Sequence, residues 1–168
     1  NIPAKYHPII RNTEGCFEAS KRAIEIAKKH NARLHILHLT TEAETHLFQN
    51  NIPLKEKKIT TEVSVHHLWF SDKDYDQLGM LIKWNPAIKT EKDKKGLLKA
   101  LLDDRIDILT TDHAPHTLEE KEQPYFQSMS GAPMVQHTLN CMLEFYKQGL
   151  ISLEKIVEKM CHNPAILY

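Results

Sequence analysis

The sequence has no CxxC pair, no HxH pair and no long hydrophobic run. Its three cysteines, Cys16, Cys141 and Cys161, lie far apart, which is typical of reduced thiols in a cytoplasmic protein. No apolar run approaches the roughly 20 residues that a membrane-spanning helix requires. Since 22 basic residues balance 22 acidic ones, no net charge attracts the chain to nucleic acid or to a membrane surface.

The first ten residues, NIPAKYHPII, contain neither an initiating methionine nor the basic and apolar regions of a signal peptide. The 168 residues suffice for one domain with a hydrophobic core. Histidine is the residue type that the chain has in excess, with eleven copies. Because histidine is the commonest side-chain ligand of metal ions, this count favours a metal site without locating it.

Helical and strand patterns alternate along the chain. Apolar spacing and capping signals predict helices over 12–30, 41–50, 90–104, 134–149 and 152–161. Short runs of apolar and β-branched residues predict strands over 33–40, 58–70 and 106–111, with a brief extended piece within 80–88. Because these strands are too apolar to have a solvated face, we expect a parallel sheet in an α/β fold.

Some details of this pattern are specific enough to be checked. Two pairs have the spacing of capping boxes, Thr41 with Glu44 and Thr90 with Asp93. One stripe of the helix over 134–149 is predicted to face the core, formed by Val135, Leu139, Met142 and Tyr146. In the last helix the predicted inward residues are Leu153, Ile156, Val157 and Met160. The longest predicted loop, 118–131, has the length of a lid or binding loop.

Polar side chains follow the predicted strands. In parallel α/β folds the functional groups lie at the carboxyl ends of the strands. Four features lie at such ends: His38, the pair His66–His67, Asn85, and the cluster from Asp112 to His116. Taken alone, each has a plain structural interpretation, as a buried histidine, as turn chemistry before a proline, or as a helix cap.

Strand alternation separates the neighbouring histidines. His35 and His38 face opposite ways because their separation is odd, and His38, nearer the strand end, is the better ligand candidate. On a strand His66 and His67 also face opposite ways, so at most one lines a site. We favour a structural role for both of them.

Four segments carry a family resemblance. They are LHILHLTT, TTEVSVHHL, IKWNPAIK and ILTTDHAPHTLEEK, in this order between about residues 33 and 122. Together they resemble the dihydroorotases, which are cyclic amidases of the amidohydrolase superfamily. The most specific segment is DHAPHT followed by EEK, because hydantoinases and allantoinases keep an Asp–His pair there but usually lack the second histidine.

The resemblance implies a TIM-like (β/α)8 barrel of the metal-dependent hydrolase type, with one or two zinc ions at the carboxyl ends of its strands. By this match His38 and Asp112 bind metal, and Asp112 also shuttles a proton as the catalytic residue. Asn85 and His116 match residues that hold the pyrimidine substrate and its carboxylate. The implied reaction is the reversible hydrolysis of dihydroorotate to N-carbamoyl-aspartate in de novo pyrimidine biosynthesis.

The chain also departs from the family pattern. A full barrel takes about 250 residues, and the first-strand HxH motif, the bridging lysine and the fifth-strand histidine are absent. We therefore expect residues 1–168 to be the C-terminal part of one barrel domain, about strands six to eight with their helices. The N-terminal strands and a small β domain would lie outside it, and the fragment alone would be inactive. Lys89 stands where many relatives have an arginine, whose bidentate fork lysine lacks.

Alternative functions remain open at this point. The chain could derive from another cyclic amidase, of the hydantoinase or allantoinase type, from a non-catalytic dihydroorotase-like assembly subunit, or from an α/β domain with incidental histidines. His116 discriminates between a dihydroorotase and another cyclic amidase such as a hydantoinase, because a carboxylated substrate needs a donor or cation there. The expected partners are a small-molecule substrate and either a second copy of the protein or aspartate transcarbamoylase, with no nucleic acid and no membrane.

Overall fold

A computed structural model describes residues 2–168. Its centre is a three-stranded parallel sheet in the order β1-β2-β3. The strands are β1 (Leu34–Ile36), β2 (Ile59–Ser64) and β3 (Ile108–Thr110). Ile36 pairs with Thr61, and Ser64 pairs with Thr110. The prediction of a parallel α/β fold is confirmed.

Helices connect and flank these strands. The α-helices are α1 (His7–Ile10), α2 (Thr13–Lys29), α3 (Glu42–Thr45), α4 (Val65–Trp69), α5 (Tyr75–Leu78), α6 (Glu91–Leu102), α7 (Leu118–Lys121), α8 (Thr138–Lys147), α9 (Leu153–Val157) and α10 (Asn163–Leu167). Short 3-10 turns cover Ala4–Tyr6, Leu54–Glu56, Asp72–Asp74 and Gly79–Ile82, and a π-helical turn covers Glu158–His162. Among residues 2–168 no helix is long and apolar enough to cross a membrane.

The local capping signals form the predicted bonds. The hydroxyl of Thr41 accepts a hydrogen bond from the backbone N–H of Glu44, at 3.2 Å, and the Glu44 carboxylate accepts one from the N–H of Thr41. Thr90 and Asp93 make the same pair of bonds at the start of α6. These side chains satisfy N–H groups that the first turn of a helix leaves free. The capping-box predictions are therefore confirmed.

All three strands are shorter than predicted, and β3 covers only Ile108–Thr110 of the predicted 106–111. β1 ends at Ile36 rather than at residue 40, and β2 ends at Ser64. The segment Val65–Trp69, predicted as strand, is helix α4. A short apolar run fits a strand and a buried helix equally well, and the neighbouring strands offer no further partners beyond Ser64.

The extended piece predicted within 80–88 is also absent from the described residues. The chain forms a 3-10 turn over Gly79–Ile82 and then continues as an irregular segment. The Asn85–Pro86 peptide bond in this segment is cis. Proline cannot donate a hydrogen bond to a sheet, so the segment would gain little from pairing with β2 or β3.

The core lies between the sheet and its helices, but α8 presents a different face to it than predicted. Of the four predicted core residues Met142 is buried, whereas Val135, Leu139 and Tyr146 are exposed. Phe145, which was not predicted to face the core, is buried. In α9 Ile156 is buried, while Leu153 and Val157 are exposed. Because both helices carry apolar residues on more than one face, the spacing alone did not identify the buried one.

The two faces of the sheet differ in chemistry. Val63 and Leu109 belong to the hydrophobic core on one face. The opposite face carries Glu62 on β2, beside His35 of β1 and Thr110 of β3. In a strand, alternate residues point to opposite faces, so this polar face leads directly to the residues that follow β1 and β3.

Candidate functional site

His38 lies two residues beyond β1 in a left-handed backbone conformation, with φ +35°. Its N–H donates to Oε1 of Glu62 at 3.3 Å, and the N–H of Leu39 donates to the Glu62 carbonyl at 2.9 Å. The alternation argument that opposed His35 to His38 does not hold, because β1 ends at Ile36. The imidazole of His35 instead contacts Thr60 and Glu62.

Asp112 lies two residues beyond β3 and also has a left-handed backbone, with φ +46°. Burial raises the pKa of its carboxyl group, the nearby charge of Glu62 raises it further, and the charge of His38 lowers it. Glu62 links the two predicted metal ligands, because its Oε1 accepts from the N–H of His38 and from the hydroxyl of Thr110, two residues before Asp112. Both ligands lie at one edge because parallel strands end at the same edge of the sheet.

His66 and His67 belong to α4, so strand alternation does not apply to them. Both are buried, and the ring of His66 stacks on Trp84 with centroids 4.3 Å apart. His66 Nε2 lies 3.8 Å from Oδ2 of Asp112. Among the described residues neither ring nitrogen of His66 has a hydrogen-bond partner. The backbone carbonyl of Pro86 lies 3.0 Å from His67 Nε2.

The burial of these two rings keeps them neutral. Burial lowers the pKa of His66 well below its ordinary value, and the charges of His67 and His38 lower it further. Burial also lowers the pKa of His67 to about 3, although its bond to the Pro86 carbonyl opposes the shift. At neutral pH both imidazoles therefore have one N–H donor and one acceptor nitrogen.

Asn85 and His116, the predicted substrate-binding residues, lie beside the same short segment. The amide of Asn85 donates to the hydroxyl of Ser130 at 3.2 Å. Gly131 packs against Ala114 and His116 so closely that a Cβ on it would lie 2.6 Å from the Cβ of Ala114. Glycine is required at position 131 for a second reason, because its φ is +129°, a backbone conformation that other residues rarely adopt.

A cleft of about 650 Å³ opens beside part of this site. His38 and Asn85 line it, together with Arg11 and Cys16, which the sequence analysis did not select. Among the described residues, Asp112 and His116 are not part of its lining. The cleft therefore brings together one predicted metal ligand and one predicted substrate residue, with an exposed arginine at its edge.

The predicted loop over 118–131 begins with α7 and is then held by two buried lysines. Lys121 Nζ donates to the carbonyls of Lys83, Met129 and Gly131, at 2.9 to 3.0 Å. Lys83 Nζ donates to the carbonyls of Tyr125 and Ser128, both at 2.6 Å. Burial and the charge of Lys83 lower the pKa of Lys121 to about 8. These bonds fix the segment that contacts Asn85 and His116.

Lys89, like Lys121 and Lys83, donates hydrogen bonds to backbone carbonyls. Its Nζ donates to the carbonyl of Arg11 at 2.6 Å and to that of Ala87 at 3.2 Å. Thr40 donates to the same Ala87 carbonyl at 2.7 Å. Lys89 therefore ties the segment after Pro86 to the chain ahead of α2.

The site contains two donors of the kinds that zinc takes, the imidazole nitrogen of His38 and the carboxylate of Asp112. Within residues 2–168 no group of three or more His, Cys, Asp or Glu side chains could hold a metal ion. A catalytic zinc ion normally has three protein ligands. The described residues thus fit part of a zinc site and would need further ligands to complete it.

Comparisons with known proteins bear on this site. No protein-family model matches the chain. The chain is 35% identical over 151 residues to the dihydroorotase of Pyrococcus abyssi, a match that covers 89% of the chain. It is 30% identical over 170 residues to the dihydroorotase of Methanosarcina mazei, over 98% of the chain. The chain is related in sequence to the dihydroorotases.

Solved structures agree with this relationship to dihydroorotases. The L-hydantoinase of Arthrobacter aurescens superposes with a TM-score of 0.82 at 28% identity, covering 89% of this chain and 34% of that one. The dihydroorotase of Saccharomyces cerevisiae in complex with 5-fluoroorotic acid superposes with a TM-score of 0.78 at 19% identity, covering 89% of this chain and 42% of that one. The three-stranded unit has the fold of part of an amidohydrolase barrel.

The match covers only part of each relative. The chain spans 35% of the Pyrococcus abyssi dihydroorotase and 37% of the Methanosarcina mazei dihydroorotase, about a third of the curated relatives it matches.

Proposed function

We propose that this chain is part of a zinc-dependent dihydroorotase, acting in the cytoplasm in pyrimidine biosynthesis. The observation that carries the proposal is that His38 and Asp112 each lie two residues beyond a strand, β1 and β3, that flanks β2 in one parallel sheet, in a chain related to dihydroorotases. The three cysteines form no disulfide in the described residues, which fits a reducing compartment. Residues 1–168 would be the C-terminal part of one barrel domain.

Asp112 is proposed as the catalytic residue. When bound, zinc would supply Lewis-acid chemistry for the ring amide carbonyl. Asp112 would take a proton from the attacking water and return it to the leaving nitrogen of the opened ring.

Asn85 and His116 are proposed to bind the substrate. Asn85 is exposed and lines the cleft beside His38, so its amide can bond to the polar edge of a pyrimidine ring. His116 is partly buried, and its Nδ1 lies 3.4 Å from the exposed carboxylate of Glu120. The imidazole of His116 would donate a charge-assisted hydrogen bond to the substrate carboxylate.

Assembly is a further part of the proposal. Exposed apolar residues just before α8, in α8 and in α9 include Val135, Leu139 and Val157. They offer a surface to the remaining part of the barrel, to a second copy of the protein or to aspartate transcarbamoylase. We propose association with one of the last two in the complete enzyme.

A hydantoinase function is the second candidate, because the hydantoinase of Arthrobacter aurescens superposes so well. Substrate competition separates the two. The full-length protein should hydrolyse dihydroorotate in preference to hydantoin and dihydrouracil, which lack the carboxylate. His116→Ala should weaken dihydroorotate binding by about 1.5–3 kcal/mol, the value of a hydrogen bond to a charged group, and leave the uncharged substrates unaffected. Preference for the uncharged substrates would instead support a hydantoinase.

A further inference from the structure

Glu62 is a charged residue in the middle of the sheet. It lies on β2 between Thr61 and Val63, on the face opposite the hydrophobic core, and only 7% of it is exposed. A buried carboxylate is costly unless other groups compensate its charge and satisfy its oxygens. The sequence analysis did not select Glu62, and neither of the proposed chemical roles at the site uses it.

Three hydrogen bonds compensate this carboxylate. Its Oε2 contacts Nε2 of His35 at 3.1 Å. Its Oε1 accepts from the backbone N–H of His38 at 3.3 Å and from the hydroxyl of Thr110 at 3.2 Å. Oε1 of Glu62 therefore connects the backbone of His38 to the side chain of Thr110. Thr110 lies two residues before Asp112, the other proposed metal ligand.

The backbone conformations of His38 and Asp112 have to be held by neighbouring groups. His38 and Asp112 are not glycine, yet both have positive φ values, a conformation that L-residues adopt rarely and that persists only when surrounding groups hold it. The Glu62 carboxylate accepts from the N–H of His38 and from the hydroxyl of Thr110, which lies two residues before Asp112. The Glu62 backbone carbonyl additionally accepts from the N–H of Leu39, so two consecutive N–H groups, of His38 and of Leu39, donate to Glu62.

We propose that Glu62 is a positioning residue, whose carboxylate holds His38 and Asp112 in the arrangement in which they bind metal without touching the metal or the substrate. The inference rests on the proposed function, since it gives Glu62 a role only if these two residues are ligands. Outer groups that orient metal ligands typically change metal affinity by about 10- to 100-fold when removed. An effect of that size is expected here.

The test measures metal affinity rather than activity alone. In the full-length protein, Glu62→Val should weaken zinc binding, measured by competition with a chelator, by about 10- to 100-fold. It should also change the visible absorption spectrum of the Co²⁺-substituted protein, which reports the geometry of the ligands. Glu62→Gln keeps one acceptor oxygen for His38 and Thr110, and should recover most of the lost affinity.

Thr60→Val is the matched control. Thr60 lies on the same strand and face, is equally buried and bonds to the same His35, but it has no bond to His38 or Thr110. It should lower the melting temperature without changing zinc affinity or the Co²⁺ spectrum. If Glu62→Val does not fold, Thr110→Val decides, because it removes one of the two bonds to Oε1 and should weaken zinc binding by about threefold or more.

The outcomes separate this inference from the proposed function. A wild-type protein that binds no zinc would overturn the proposed function itself. A wild-type protein that binds zinc, with Glu62→Val or, where that variant is unfolded, Thr110→Val within about twofold of its affinity, would overturn the role of Glu62 alone. Equal losses in Thr60→Val and Glu62→Val would also overturn it, because they would show a general effect of disturbing the strand.

Discussion

Nε2 of His66 lies 3.8 Å from Oδ2 of Asp112, and among the described residues neither nitrogen of this fully buried ring has a hydrogen-bond partner. Buried polar atoms are nearly always bonded in folded proteins, so an exception next to a proposed catalytic residue suggests a functional use. The stacking on Trp84 fixes the ring plane and so the direction of both nitrogens.

This relationship gives the first prediction. His66→Phe should keep the stacking on Trp84 and lose no hydrogen bond, so the free energy of unfolding should change by less than about 1.5 kcal/mol, as for other swaps that nearly conserve volume. Hydrolysis of dihydroorotate by the full-length protein should nevertheless fall by about 100-fold, the lower end of what a group acting on proton transfer contributes. His67→Phe is the matched control. Unchanged turnover in His66→Phe would show that the ring serves packing only.

A second prediction concerns the dependence of stability on pH. Burial lowers the pKa of His7 from 6.5 to about 4, although its bond to the Trp84 carbonyl opposes the shift. Below pH 6.5 His7 binds a proton in the unfolded chain but not in the folded chain, where its pKa is about 4. The contribution of His7 to the free energy of unfolding is therefore fully present above pH 6.5 and is lost as the pH falls toward 4. Between pH 7.5 and pH 5 the loss from His7 should be about 2 kcal/mol.

Urea unfolding at the two pH values measures this loss. His7→Gln cannot titrate in this range, so its stability should fall by about 2 kcal/mol less than that of the wild type on going to pH 5. His67, whose pKa burial lowers to about 3, contributes in the same direction and remains in both proteins. Equal pH dependence of the two proteins would show that His7 is not held neutral.

A third prediction concerns the segment 122–131. Lys121→Met removes the donor of three buried carbonyls, those of Lys83, Met129 and Gly131. The free energy of unfolding should fall by about 2–4 kcal/mol, and amide hydrogen exchange should accelerate within 122–131 before it does elsewhere. Lys147→Met is the control, because the Lys147 ammonium lies 3.6 Å from the exposed carboxylate of Glu144. Uniform acceleration across the chain would contradict a local role.

Much of the fold could be predicted because its signals are local. Both capping boxes depend on residues three apart, and the alternation of strands and helices follows from short apolar runs. The ends of the strands could not be predicted, since they depend on which neighbours remain available for pairing. The prediction of the buried face of α8 was wrong for a similar reason. Met142 and Leu139 are both apolar, and only the packing around the helix distinguishes them.

The residues of the candidate site could be predicted only where a sequence motif marked them. The segment around Asp112 and the histidine after β1 indicated the two residues that the structure brings together. Glu62 was missed although its signal was present, as the one charged residue within Ile59–Ser64. The histidine pair was assigned to a strand because a buried helix of five residues has no periodicity of its own to reveal it. The roles of His38, Asn85, Asp112 and His116 stay predictions.

Zinc content and turnover of the full-length protein test the central claim most directly. Purified protein should contain zinc and hydrolyse dihydroorotate, and removal and return of zinc should abolish and restore the activity. Asp112→Asn should remain folded and lose nearly all turnover, while the 168-residue chain alone should be inactive because it supplies only two ligands where catalytic zinc normally has three. A folded full-length protein without zinc and without turnover, or an Asp112→Asn variant as active as the wild type, would contradict the account.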